Sequence, residues 1–304
     1  MLKIELVLES YAMTGEGAIW SPEDNSLYWV DIPNKKLNRF EPDSGKNHVY
    51  DMPTEIGCFS LVVRGGHVPG AVVALNDGFY YFDFNSQKLV HINNPKGHEK
   101  NTRFNDGTTD SSGRFWAGTM PMGGQRETAV GSLYVLDLDG TTRAVESGLW
   151  VQNGLAFSPD GKTMYLSDSH PNACVVWAYD YDPDDGVPSN KRVFYDASGR
   201  VSNPDGAAVD CDGCYWIAGV HGWELLRLTP EGKIDQVIRM PIEKPTKIAF
   251  GGPNLDIMYV TSIGNVGVEG AGDPDQPYAG CLFAVETGQQ GLPSVPYAGD
   301  VPAL

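Results

Sequence analysis

The sequence predicts an all-β protein arranged as a six-bladed β-propeller. Three observations carry that prediction: turn residues spread along the whole chain, short alternating strands, and a repeat of those strands about every 50 residues. Of 304 residues, 36 are glycine and 21 proline, distributed throughout, which implies many tight turns and few long helices. Alternating aromatic or β-branched runs follow a turn signal at 21–31 (SPEDNSLYWVD), 110–119 (DSSGRFWAGT), 158–168 (SPDGKTMYLSD), 210–219 (DCDGCYWIAG) and 251–262 (GGPNLDIMYVTS). A weaker copy, RGGHVPGAVVAL at 64–75, lies between the first two. A further strand pair completes each unit, as in KLNRFEPDSGK, GFYYFDFNSQKL, GSLYVLDLDGTTR, VVWAYDYDPDDG, ELLRLTPEGKI and CLFAVETGQQG.

Trp29, Trp116, Tyr165, Trp216 and Tyr259 take matching places, separated by 87, 49, 51 and 43 residues, and the weak copy divides the long interval. Units of this length with four short antiparallel strands are propeller blades. A β-sandwich accounts for the strands but not for the repeat. The opening strand LKIELVLES has no complete unit of its own, so it is expected to join the last blade and close one domain spanning residues 1–304.

Composition bounds the partners. Hydrophobic content of 41% and aromatic content of 11% suffice for a core and argue against disorder. No apolar run reaches the roughly 18 residues of a membrane span. The start, MLKIELVLES, lacks the features of a secretory signal, so a soluble, cytoplasmic chain is expected. Lys+Arg 22 against Asp+Glu 39 gives a net charge of −17, which disfavours nucleic acid and anionic membrane as partners. Monomer and small homo-oligomer both remain open. The five cysteines, at 58, 174, 211, 214 and 281, suit reduced thiols. Cys211 and Cys214 form a CDGC turn with no second pair to complete a zinc site.

Equivalent positions at the start of the innermost strands of a propeller converge on its axis. Counting back five residues from each turn gives Glu16, Asn105, Asn153, Asp205 and Thr246. Taken singly, the Asn-Gly and Asp-Gly dipeptides are ordinary turn formers. Together they put two carboxylates and two amides at one point, with no Lys or Arg in the same register, and that arrangement is costly to bury unless a cation lies between them. Oxygen-only ligation suits one divalent metal ion, calcium, magnesium or manganese, with zinc also open. Thr246 is a candidate pocket residue, and so is His221, in AGVHGWELL, at the end of an expected inner strand. No G-x-S-x-G nucleophile elbow occurs.

The strings GEG at 15–17, RFNDG at 103–107, AGTM at 117–120, NGLAFSPDG at 153–161 and NPDGAAVD at 203–210 resemble the senescence-marker-protein/gluconolactonase (regucalcin-like) family of six-bladed propellers. The resemblance covers most of the chain. It implies metal-dependent hydrolysis of a sugar lactone, such as gluconolactone, to the aldonic acid, with a single divalent ion held by Glu16, Asn153 and Asp205. It also implies that Arg103 and Asn105 contact sugar hydroxyls. Animal members follow AGTM with acidic residues, whereas this chain reads AGTMPMGGQ, which bears on the identity of the sugar. Asp205 is the candidate general base, with metal hydroxide as the competing assignment. Two other readings stand beside the lactonase: an organophosphate-hydrolysing propeller enzyme, and a non-catalytic calcium-binding or scaffold propeller.

Overall fold

The computed structural model describes residues 2–123, 127–264 and 275–303. Six four-stranded antiparallel sheets stand around one axis. Their innermost strands, in chain order, are Gly15–Ser21, Ile56–Arg64, Thr102–Thr109, Gln152–Phe157, Asn203–Val209 and Pro245–Gly251. The alternating runs become the second strands, such as Phe115–Pro121 and Tyr215–Val220, buried from end to end because sheets flank them on both faces. Outer strands such as Val187–Asp196 are largely exposed.

The first strand, Lys3–Leu8, pairs with Leu282–Glu286 at the outer edge of the sixth blade, so the last sheet contains both ends of the repeat. The segment after Glu286 crosses the far end of the axis. Gly291 N–H donates to Leu255 O at 2.8 Å, Tyr297 N–H to Leu61 O at 2.8 Å and Ala298 N–H to Gly113 O at 3.0 Å. This strap ties the sixth, second and third blades together. Apolar clusters fill the wedges between neighbouring sheets. Trp216, Leu225, Ile248, Phe250, Met258 and Phe283 join the fifth and sixth blades, and Tyr28, Phe59, Val73 and Phe82 join the first and second.

The repeat register needs one correction. The residue three places beyond each ring position pairs with Trp116, Tyr165, Trp216 and Tyr259 in the last four blades, but with Tyr28 in the first. Trp29 is therefore one residue out of step, and side-chain direction alternates along a strand, so the slip changes the face it occupies. All five cysteines are free. The Gly/Pro-rich segment 264–280, an expected site of first proteolytic cleavage, lies mostly outside the described residues.

The turn signals work through side-chain caps. Asp210 Oδ1 accepts the N–H groups of Asp212 and Cys214, while Oδ2 accepts Trp216 Nε1 and Arg227 Nε, both at 2.8 Å. Asp110 makes the matching bonds to Ser112, Arg114 and Trp116. Asp210→Ala leaves the indole N–H of Trp216 and Arg227 Nε without their acceptor, while the other guanidinium nitrogens keep Asp212 and Asp235, and is expected to cost about 1–3 kcal/mol in urea unfolding. The same titration should show one transition, since the last sheet joins both chain ends; two separated transitions would contradict a one-domain ring.

Candidate metal centre

Each innermost strand breaks register with its neighbour near its start. In the first, Glu16 pairs with Val30 and Ile19 with Tyr28, leaving two residues opposite one. The same break falls between Phe104 and Gly107, Asn153 and Ala156, Pro204 and Ala207, and Pro245 and Ile248. A β-bulge of this kind bends the strand and re-aims its side chains. Gly154 shows the local requirement: its φ is +61°, and a Cβ there would stand 2.5 Å from both Ser167 Oγ and the Tyr215 hydroxyl. The second blade has Gly57 at its break and brings no polar side chain to the axis.

The ring residues are buried and wired to one another. Asn105 Nδ2 donates to Asn153 Oδ1 and to Gln152 O, each at 2.8 Å. Asn153 Nδ2 donates to Ser169 Oγ at 2.7 Å, and Ser169 Oγ donates to Pro204 O at 2.6 Å, beside Asp205. This chain crosses the third, fourth and fifth blades and fixes which way the Asn153 amide points. Arg103 Nη1 donates to Asn105 Oδ1 and to its neighbour Phe104 O, each at 2.8 Å. With both Asn105 amide protons committed, that residue offers a ligand only its carbonyl oxygen.

The carboxylates have few donors. Glu16 accepts one bond, from Gly17 N–H at 3.1 Å. Burial, then the charge of Asp106, push the Glu16 carboxyl up to about 7, against the opposing effects of Lys247, the Gly17 N–H and Arg103. Burial, then the charges of Glu16 and Asp106, raise Asp205 well above the usual carboxylate range, and no hydrogen bond offsets this. Two buried, mutually repelling carboxylates with so little donor support fit a hard cation, with the Asn153 carbonyl as a neutral third ligand. No group of three His, Cys, Asp or Glu placed to hold a metal ion gathers among the described residues.

The ring is not free of cations, contrary to the expectation from register. Lys247 follows Thr246 within the sixth bulge, and Asp106 follows Asn105 within the third; both are buried. Each stands second in its bulge, one place after the register position, so counting a single position per blade missed them.

Thr246 lies in the ring register, but its hydroxyl donates to Gly15 O and contacts Thr261 Oγ1 at 2.9 Å, which joins the sixth blade to the first. His221 follows the strand Tyr215–Val220 on the rim, half exposed, with Nδ1 2.9 Å from Glu243 Oε1. Of AGTMPMGGQ, Gly124 and Gln125 lie outside the described residues. Below the ring a cavity of about 350 Å³ runs to the strap Leu292–Pro296; its walls include Leu155, Ala207, Ile248 and Phe250, and none of the four ring residues that carry Asn, Asp or Glu.

The family description SMP-30/Gluconolactonase/LRE-like region matches residues 14–264. The chain is 38% identical over 299 residues to a 6-deoxy-6-sulfogluconolactonase of Pseudomonas putida, covering 97% of this chain and 99% of the relative. It is 33% identical over 301 residues to a pentonolactonase of Haloferax volcanii, covering 96% and 97%. Among solved structures, a luciferin-regenerating enzyme superposes with a TM-score of 0.88 at 29% identity, covering 97% of this chain and 99% of that one.

The raised Glu16 carboxyl fixes a pH dependence. Its folded value, about 7, exceeds the ordinary 4.5, so the metal-free protein is most stable with the group protonated and loses stability as pH rises from about 4.5 through 7. A cation needs the ionised form, so calcium binding should strengthen over the same window and release protons. Melting temperature followed from pH 5 to 8, with chelator and with calcium, should diverge as pH rises. Glu16→Gln should weaken calcium binding by roughly tenfold or more; an unchanged affinity would show that Glu16 is not a ligand.

Proposed function

The chain belongs to the SMP-30/gluconolactonase/LRE-like family, and from that membership we propose that it opens a sugar lactone to the aldonic acid at the axial ring, where Glu16, Asn153 and Asp205 hold one divalent cation. The observation that carries this reading is the pair of donor-poor buried carboxylates beside an oriented amide oxygen. The chain is similar over nearly its whole length to a sulfogluconolactonase and a pentonolactonase, which points to the lactone of a five- or six-carbon sugar acid. The partner is thus a small-molecule sugar lactone, and a protein of net charge −17 repels the aldonate product once it forms.

A lactone is a cyclic ester, and its hydrolysis requires a water deprotonated as it attacks, a carbonyl drawn towards positive charge and a substrate fixed in place. A bound divalent cation supplies Lewis acidity and lowers the pKa of water at the site. Asp205 is the general base: no hydrogen bond offsets the burial of its carboxylate, so an oxygen can accept the water's proton. Asn153, locked by Ser169, presents its carbonyl rather than its NH2 to the ring. Arg103 donates to sugar hydroxyls, and the Asn105 carbonyl, already holding Arg103, accepts from one. The half-exposed His221–Glu243 pair lines the approach.

Kinetics separate these roles. Asp205→Asn should lower kcat by roughly 10²–10⁴, with metal content measured alongside because the residue is also a ligand. Arg103→Ala should raise KM by about tenfold or more with a smaller change in kcat, since it removes binding common to ground and transition states. The assay compares a panel of aldonolactones with spontaneous opening in the same metal solution. If no five- or six-carbon aldonolactone opens faster with protein than without, the lactonase reading fails and phosphotriesters become the next substrates to try.

A further inference from the structure

Beneath the ring lies a charged pair that the hydrolysis does not use. Lys247 Nζ donates to Asp106 Oδ1 at 2.7 Å, with the lysine 4% and the aspartate 2% exposed. Lys247 belongs to the sixth blade and Asp106 to the third, which face each other across the ring, so the lysine side chain spans the axis. The fifth blade leaves room for it: a Cβ on Gly206 would stand 2.4 Å from Lys247 Cδ. The second Asp106 oxygen accepts Leu155 N–H at 3.1 Å, so each oxygen already has a protein donor. An ion pair buried this deeply gives little net stability, which directs attention to what it does for its neighbours. The charge of Asp106 bears on both Glu16 and Asp205, and the charge of Lys247 opposes it at each.

We propose that Lys247 is a positioning residue that, by holding Asp106 across the axis, keeps to two the number of carboxylates facing the cation. The inference rests on the cation site of the preceding subsection. Released from Lys247, Asp106 is a third carboxylate next to Glu16 and Asp205, and calcium sites bind more tightly as the charge of the donor set rises. A more fully neutralised cation is also a weaker electrophile, so the same change slows turnover. Lys247 thus exchanges affinity for reactivity, and it does so without touching the substrate.

Calorimetric titration of calcium chloride into the chelator-treated full chain reads the effect directly. Lys247→Met should bind calcium about tenfold more tightly than the unaltered protein, and Lys247→Arg, which retains the charge, should stay within about threefold of it. The double variant Lys247→Met/Asp106→Asn should lose the gain. A lysine that merely braces the fold predicts the opposite sign, weaker binding in Lys247→Met. Affinity in Lys247→Met equal to or below that of the unaltered chain overturns the inference, as does a gain that survives in the double variant. Should Lys247→Met not fold, Asp106→Asn decides: it leaves an unpaired ammonium near the cation and should weaken binding about tenfold, whereas unchanged or tighter binding overturns the proposal. If the unaltered chain binds neither calcium nor manganese, the cation site itself is refuted, and this inference with it.

Discussion

A break in strand pairing at the start of each innermost strand is the constraint from which the axis of this molecule follows. A regular strand sends alternate side chains to opposite faces, and in a propeller both faces are covered by neighbouring blades. Where two residues oppose one, a side chain can leave that alternation and point along the axis. Asn105, Asp205 and Lys247 lie inside such breaks, and Glu16 and Asn153 are the last paired residues before theirs. Radial packing holds the breaks in place: the wedge-filling clusters between blades fix each innermost strand against its neighbour. The sixth blade, completed by Lys3–Leu8, keeps the ring from opening.

That geometry concentrates charge that the rest of the chain keeps apart. Elsewhere the buried carboxylates are saturated with donors, as Asp210 and Asp110 are by their turns, indoles and arginines. On the axis Glu16 and Asp205 repel each other and have almost no donors. The contrast sets the two axial acids apart from the structural ones. A saturated carboxylate lowers the energy of the fold, whereas a starved one raises it. The network from Asn105 through Asn153 and Ser169 to Pro204 orients the neutral oxygen, and the Lys247–Asp106 pair lies directly beneath.

The two ends of the axis differ in kind. The ring end carries the polar residues and the rim pair His221–Glu243. The far end is a cavity of mixed lining beneath the strap formed by residues after Glu286, with Lys247, Glu23 and several hydroxyls among its apolar walls. The polar residues thus gather at one end of the axis, and Lys247 borders the cavity at the other.

The blade repeat, the closing strand and the ring register were legible in the sequence because they depend on local periodicity: turn residues, alternation and a fixed interval from each turn back to the axis. Glu16, Asn153 and Asp205 could be named because each stands five residues before a turn signal of its own blade. Register counting names one residue per blade, and Lys247 and Asp106 stand one place beyond it, so the strings FNDG and PTKI hid a lysine and an aspartate that meet across the ring although 141 residues separate them. Thr246 shows the converse: the right register, but a hydroxyl turned to Gly15 O by the neighbouring blade. The sequence determined which residue of each blade stands in the ring register, since that follows from position within a blade. Which of them remain short of donors, which neutralise each other and which merely join blades was decided only by the closed ring, because those pairings run between opposite or adjacent blades and have no periodic trace along the chain.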